Sequence, residues 1–240
     1  IIADDCSKDK TREIINSYHS KHPDLIRLLY QEKNVGGGKN FVDLIHSAKG
    51  KYIAYLEGDD YWTNDRKLQK QYDFMVGHPD VSLCYHQVSW DFTYSDVRNG
   101  QVSNSEDKPF YTLKEVLENG WFIRSGSMFF VQIKLPKDFH KLYIGDYPLH
   151  LLLAKKGNVG FIKEVMSVYR INNAGISETV LLKEGRRRKV SLFFKNLKLQ
   201  LFLMKNLSIK YWSVLIRRIF VSLFILIKYF VSGKAEHQPK

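Results

Sequence analysis

Three carboxylates sit together in Leu56-Glu57-Gly58-Asp59-Asp60-Tyr61-Trp62, directly after a short apolar run with β character, Lys51-Tyr52-Ile53-Ala54-Tyr55-Leu56. Arg66-Lys67-Leu68-Gln69-Lys70-Gln71 then reads as a helix start. A strand that ends in a loop and feeds a helix is where open α/β sheets bind ligands. Adjacent carboxylates repel one another, and a divalent cation between them lowers that cost. Gly-Asp-Asp is also good turn chemistry. Taken alone, the stretch leaves metal binding and a plain turn both open.

The residues before it set the fold class. Ile1-Ile2-Ala3 reads as a strand end and Asp4-Asp5-Cys6-Ser7 as a polar loop. Ser7 or Asp9 is placed to cap a helix running to about Lys21, with Ile14, Ile15 and Tyr18 on one face. His22-Pro23-Asp24 breaks it, and residues 25–30 form a second strand. Asn34-Val35-Gly36-Gly37-Gly38-Lys39-Asn40 is a glycine-rich loop, followed by a helix with Phe41, Val42, Leu44, Ile45 and Ala48 on its apolar face. The order β-α-β-α-β with short connections predicts parallel strands with crossover helices. Further on, the sequence predicts helices over 67–76, 112–119 and 149–156, strands over 81–86, 125–131 and 160–170, and an exposed excursion over 91–109. The chain opens inside a strand without an initiator Met, so more sequence is expected before Ile1.

A net charge of +12 points to an anionic partner: nucleic acid, a phosphorylated ligand or an acidic membrane surface. The basic residues crowd the last sixty or so positions, while the first part carries carboxylate clusters that would repel a phosphate backbone. This weighs against a nucleic-acid-binding module. Two cysteines, Cys6 and Cys84, make no disulfide framework and fit a reducing compartment.

Acidic positions fall at three loops: Asp4-Asp5, Glu57-Gly58-Asp59-Asp60 and Asp146. In a parallel sheet the first two groups share one edge. Between them in sequence lies the loop of Gly36 and Lys39, whose amides and ammonium suit a phosphate or diphosphate. Together these residues resemble the family 2 glycosyltransferases, inverting enzymes of the GT-A fold. The segments that carry the resemblance are Ala3-Asp4-Asp5-Cys6-Ser7, Asn34-Val35-Gly36 with Lys39-Asn40, Glu57-Gly58-Asp59-Asp60, Gly145-Asp146-Tyr147-Pro148 and Tyr169-Arg170 with Gly175-Ile176-Ser177. They span roughly residues 1–180.

The resemblance implies an α/β fold: a mixed, mostly parallel sheet flanked by helices. It implies that Asp5, with Asp4 beside it, recognises the base of a nucleotide-sugar donor, with UDP the expected nucleotide. Gly36, Lys39, Asn40, Glu57 and Asp59 would complete the donor site. Asp59 and Asp60 would hold Mg²⁺ or Mn²⁺ against the diphosphate, and Asp146 would deprotonate the acceptor hydroxyl of a glycan or lipid-linked glycan. Four features depart from the family pattern. Glu57 stands where Asp is commoner and Lys39 where Arg is commoner. Asn172 and Asn173 replace a common His, and the family's first strand has no counterpart. The last keeps open an alternative, a catalytically inactive relative that acts as an interaction module.

Of the other candidates, Trp62, Trp90 and Trp121 suit either packing or stacking on a sugar, with Trp62 favoured for its place beside the acidic loop. His86 and His150 read as structural, although His150 lies one turn past Asp146. Residues 181–240 form a second segment, basic and helical. Arg217 and Arg218 interrupt its most apolar run, 211–231, so an in-plane amphipathic helix on an anionic cytoplasmic membrane surface is expected. Packing against the first domain and a true span are the other readings. The expected setting is bacterial surface polysaccharide synthesis at the inner face of the cell membrane.

Overall fold

The computed structural model describes residues 1–92, 108–171 and 186–232. The expected Asn172-Asn173 and Gly175-Ile176-Ser177 loop and most of the 91–109 excursion lie outside them. Strand β1 (Ile2–Asp4), helix α1 (Thr11–Lys21), β2 (Leu28–Tyr30), α2 (Gly37–Ser47) and β3 (Tyr52–Ala54) follow the predicted alternation. β1 and β2 pair in parallel, with Asp4 opposite Tyr30. β3 belongs to a second sheet, ordered β3-β7-β5-β8-β4, with β6 also paired to β8. The remaining strands are β4 (Tyr61–Trp62), β5 (Val81–Phe92), β6 (Phe110–Tyr111), β7 (Phe129–Val131) and β8 (Asn158–Ile171). The sheet is mixed. Parallel pairing between β5 and β8 supplies its longest ladder, while β3–β7, β5–β7, β4–β8 and β6–β8 are antiparallel.

The core follows from residue type. The first six residues of β5 are all buried, as expected of a strand covered on both faces. Helix α5 (Asp146–Ala154) is buried from Tyr147 through Ala154, so it is apolar all round rather than amphipathic. Its Pro148 lies in the first turn, where a missing N–H costs nothing. α3 (Lys67–Gly77) covers the other face. α4 (Leu113–Asn119) starts with a capping box, Thr112 accepting from the Glu115 amide while Glu115 accepts from the Thr112 amide.

Ser125–Ser127, the Ser-Gly-Ser turn that leads into the strand of 125–131, is a 3-10 turn. One local expectation changes. Asp9 does not cap α1 from the N-cap position; Lys10 occupies that position, and the Asp9 carboxylate accepts from the Thr11 amide at 3.0 Å. The C-terminal helices α6 (Arg186–Asn206) and α7 (Trp212–Ser232) are integrated with the rest. Leu199, Phe202, Leu203, Leu207 and Leu215 belong to the main core cluster. The Arg218 guanidinium donates to the Tyr147 hydroxyl and the Leu117 carbonyl. No helix among the described residues is long and apolar enough to cross a membrane.

Candidate active site

The end of β1 is tied down internally. Asp4 is buried, pairs with Arg12 (Nε to Oδ2, 2.5 Å) and accepts from the Ser7 amide. Burial pushes its carboxyl up, but the bonds from Ser7 and Arg12 outweigh that and hold it below the usual range. Arg12 also reaches the Gln31 carbonyl and lies 4.6 Å from the centre of the Tyr30 ring. The Asp5 carboxylate accepts from the amides of Val35 at 2.7 Å and Gly36 at 2.8 Å. It thereby clamps the glycine loop to β1. Gly36 needs its lack of a side chain, with φ at 84°. A Cβ on Gly38 would stand 2.6 Å from the His140 carbonyl oxygen. Beyond them, Lys39 pairs with Asp43 one turn along α2, and Asn40 accepts from Gln31.

The second acidic group is not neutralised in this way. Glu57 is half-buried, and its carboxyl is pushed up to about 8 by burial and then by the charges of Asp146, Asp60 and Asp59. Asp60 is buried and raised to about 6, by burial first, although the Arg170 amide donates to it at 2.9 Å. One Asp60 oxygen faces Gly126, where a Cβ would come within 3.4 Å. Asp59 is exposed, and its backbone carbonyl accepts from the Arg170 side chain.

Asp146 opens α5, where the helix N-terminus favours a negative charge. Burial raises its carboxyl, and the Ser125 hydroxyl lies 3.4 Å from Oδ2. Asp146 and Glu57 line one cavity of about 460 Å³, together with Gly37 and Gly38 of the glycine loop and Tyr55, Trp121 and Tyr169. The structure thus brings Glu57, Asp59, Asp60 and Asp146 into one electrostatic group and sets the glycine loop at its edge. Asp4, Asp5, Gly36, Lys39, Asn40, Asp59 and Asp60 stand outside the cavity lining.

Among the tryptophans, Trp121 faces the cavity rather than Trp62. The Trp62 indole donates to the Gly126 carbonyl at 3.0 Å and its ring packs against the Lys67 ammonium. That bond instead fixes the backbone beside Asp60. His150 does not orient Asp146. It is fully buried, with Nε2 against the Met128 sulfur and Nδ1 without a partner among the described residues. Arg124 escaped the sequence reading. Its guanidinium is surrounded by Trp90, Trp121 and Tyr169 and acts electrostatically on Asp146. The available signal was an arginine directly after the apolar run Trp121-Phe122-Ile123.

The sequence profile described as Glycosyl transferase family 2 matches residues 1–137. The chain belongs to this family. An uncharacterized protein of Mycobacterium tuberculosis is 33% identical over 181 residues, 73% of this chain and 51% of that protein. The chain therefore spans about half the length of the curated relatives it matches first. A Bacillus subtilis protein named as a teichuronic acid biosynthesis glycosyltransferase, itself a provisional assignment, is 42% identical over 76 residues, 32% of this chain and 29% of that protein. The solved mannosyltransferase of Pyrobaculum calidifontis, in complex with GDP-Man and Mn²⁺, superposes with a TM-score of 0.55 at 14% identity, covering 98% of this chain and 66% of its own. The fold is the GT-A fold.

Proposed function

We propose that this family 2 member moves a sugar from a nucleotide-sugar, a UDP-sugar in our reading, to the hydroxyl of a glycan or lipid-linked acceptor in bacterial surface polysaccharide synthesis. The observation that carries this is the convergence of Asp146 and Glu57 on one cavity, beside Asp59 and Asp60 and next to the N-terminus of α2. In this reading Asp146 takes the proton from the acceptor hydroxyl, and a single displacement inverts the anomeric centre. The Ser125 hydroxyl engages Oδ2 and so orients the carboxylate. The nearby Arg124 charge favours its ionised form against the cost of burial. Phe41, Tyr55 and Trp121 wall the cavity and restrict water around the reacting oxygen. Asp5, with Asp4 beside it, meets the donor's base, and its bonds from the Val35 and Gly36 amides hold the glycine loop so that Gly36, Lys39 and Asn40 meet the diphosphate.

Among the described residues no group of three or more His, Cys, Asp or Glu is arranged to hold a metal ion. Asp59 and Asp60 nevertheless fit Mg²⁺ or Mn²⁺. Such ions take one or two carboxylates and complete their shell with substrate phosphates and water. Asp60 Oδ2 lies beside Gly126, where a Cβ would stand 3.4 Å from it, and the mutual repulsion of the acidic group is what a cation relieves. A bound cation there would neutralise charge on the departing nucleoside diphosphate. The exposed apolar face of α7, with Phe220 and Phe224, together with the basic residues of the C-terminal helices, supports peripheral binding to the anionic inner face of the cell membrane.

The test is a thermal-shift and donor-hydrolysis assay with a panel of nucleotide sugars and Mn²⁺. Stabilisation by UDP and metal-dependent donor hydrolysis are expected. Absence of both across the panel would remove the transferase reading.

A further inference from the structure

A second cavity, about 1000 Å³, lies between α6, α7 and the catalytic body. That is the upper end of what small-molecule sites enclose. It adjoins the Asp146 cavity: Trp121, Tyr143 and Ile144 line both. On the helix pair an apolar strip, Leu192 and Phe193 from α6 and Val221, Ile225 and Leu226 from α7, runs among polar residues that include Lys189, Gln200 and Arg217.

The order of residues along α7 gives the groove a direction. Arg217, Val221 and Ile225 are spaced four apart and therefore form one stripe. The Arg217 end is next to the catalytic body, because the adjacent Arg218 bonds to Tyr147 and Leu117. Arg218 is committed to those groups; Arg217 forms no ion pair among the described residues. Among the described lining residues the acid is Glu118, and Lys114 pairs with it at 3.8 Å. Eight residues further on, about 12 Å at helical rise, Ile225 is 55% exposed and merges with the outer apolar face at Phe224. The groove also holds an unsatisfied polar group. The Gln200 side chain lines it, is 2% exposed, and its Oε1 has no partner among the described residues. A buried carbonyl oxygen without a donor is costly and suits a ligand hydroxyl.

We propose that this groove binds the acceptor, and that the acceptor is an amphiphile whose apolar chain is joined through a phosphate to the hydroxyl-bearing head. The chain lies between α6 and α7 and emerges at Ile225. The phosphate sits at Arg217, and the head passes Trp121 to reach Asp146. The proposal rests on the transferase reading and narrows its acceptor.

The experiment uses the full chain and fluorescent farnesyl phosphate at submicellar concentration, with the UDP thermal shift measured on the same samples. Saturable binding is expected. Ile225→Glu, which places a carboxylate at the groove mouth, should weaken it at least tenfold. Arg217→Gln should weaken the phosphate probe about tenfold and leave the matching farnesyl alcohol within twofold. Phe224→Glu changes the outer face without lining the groove, so it should leave the soluble probe unaffected and reduce binding to anionic vesicles. Equal binding by the native chain and Ile225→Glu, or equal losses in Ile225→Glu and Phe224→Glu, would overturn the groove. Probe binding in this pattern without any UDP effect would leave the groove standing and sink the transferase reading. UDP stabilisation without probe binding would do the reverse.

Discussion

Two pairs of adjacent carboxylates stand at two strand ends of this molecule, and they are treated in opposite ways. Asp4 and Asp5 follow β1 and are satisfied from within: Arg12 and Ser7 hold Asp4 low, and the Val35 and Gly36 amides occupy Asp5. Glu57, Asp59 and Asp60 follow β3 and receive one backbone amide, from Arg170, while Asp146 adds further negative charge. Glu57 and Asp60 are raised as a result. Sequence alone shows two similar acidic turns. The structure separates an acidic pair held low or occupied by nearby donors from a group whose carboxyls are raised by burial and by one another's charge. Carboxylates that are buried without partners are costly and tend to mark function.

The largest effect should come from Asp146, the carboxylate proposed to take the acceptor's proton. Asp146→Asn keeps shape and removes the base. Transfer should fall by about 10³, within the range for general-base loss, while Mn²⁺-dependent UDP binding changes less than twofold. Transfer surviving at a tenth of native rate would place the base elsewhere. Next comes Asp60→Ala, expected to remove most of the Mn²⁺-dependent part of the UDP thermal shift, weakening binding roughly 100-fold in line with loss of a ligand-sphere group. Asp5→Asn is the matched change in the paired group. It should loosen the glycine loop without altering the metal dependence. If both substitutions abolish metal dependence equally, the distinction between the two acidic pairs collapses.

The alternation of strands and helices around these groups was legible because each element is punctuated: His22-Pro23 ends α1, and the Gly36 loop opens α2. Strand β4 and strand β6, two residues each, carry no periodicity to read. The acidic residues were visible as candidates, but their states were not. Those depend on partners brought from afar: Arg170 reaches Asp60 across 110 positions, and Val35 reaches Asp5 across 30. Arg124 was missed for the same reason, since only folding assembles Trp90, Trp121 and Tyr169 around it. The choice of Trp62 over Trp121 followed nearness in sequence, whereas facing the cavity is a property of the turn after α4. The C-terminal helices look separable by composition, yet Leu203 and Leu215 are fully buried in the common core.

The paired group predicts a stability effect with a defined pH dependence. Arg12→Ala leaves Asp4 without its cation and should destabilise the fold at pH 7, by less than the loss of a fully buried pair because the Arg12 side chain is about one-third exposed. The folded Asp4 carboxyl lies below its unfolded value of 3.8. Its contribution is therefore complete above that value and disappears as pH falls through the folded one. Urea unfolding of the native chain and Arg12→Ala should show a constant gap from pH 7 to pH 5 that narrows towards pH 2. A gap independent of pH would mean that Arg12 acts through its packing on Tyr30 and its bond to Gln31 instead.

The smallest effect on folding is expected at Lys39, which stands in sequence between the two acidic groups. Its pair with Asp43 is surface-exposed and four residues apart on one helix, so Lys39→Gln should cost no more than about 0.5 kcal/mol. Its effect on UDP should be larger than on stability, roughly fivefold to tenfold, because a diphosphate at the α2 N-terminus loses a point charge. That loss should shrink as ionic strength rises, since exposed charges are screened over about 8–10 Å. Lys39→Arg keeps the charge and should bind UDP within twofold of the native chain. A salt-independent loss, or equal losses for Gln and Arg, would show that Lys39 serves only to pair with Asp43. It would then belong with Asp4 and Asp5 among the groups that hold the scaffold.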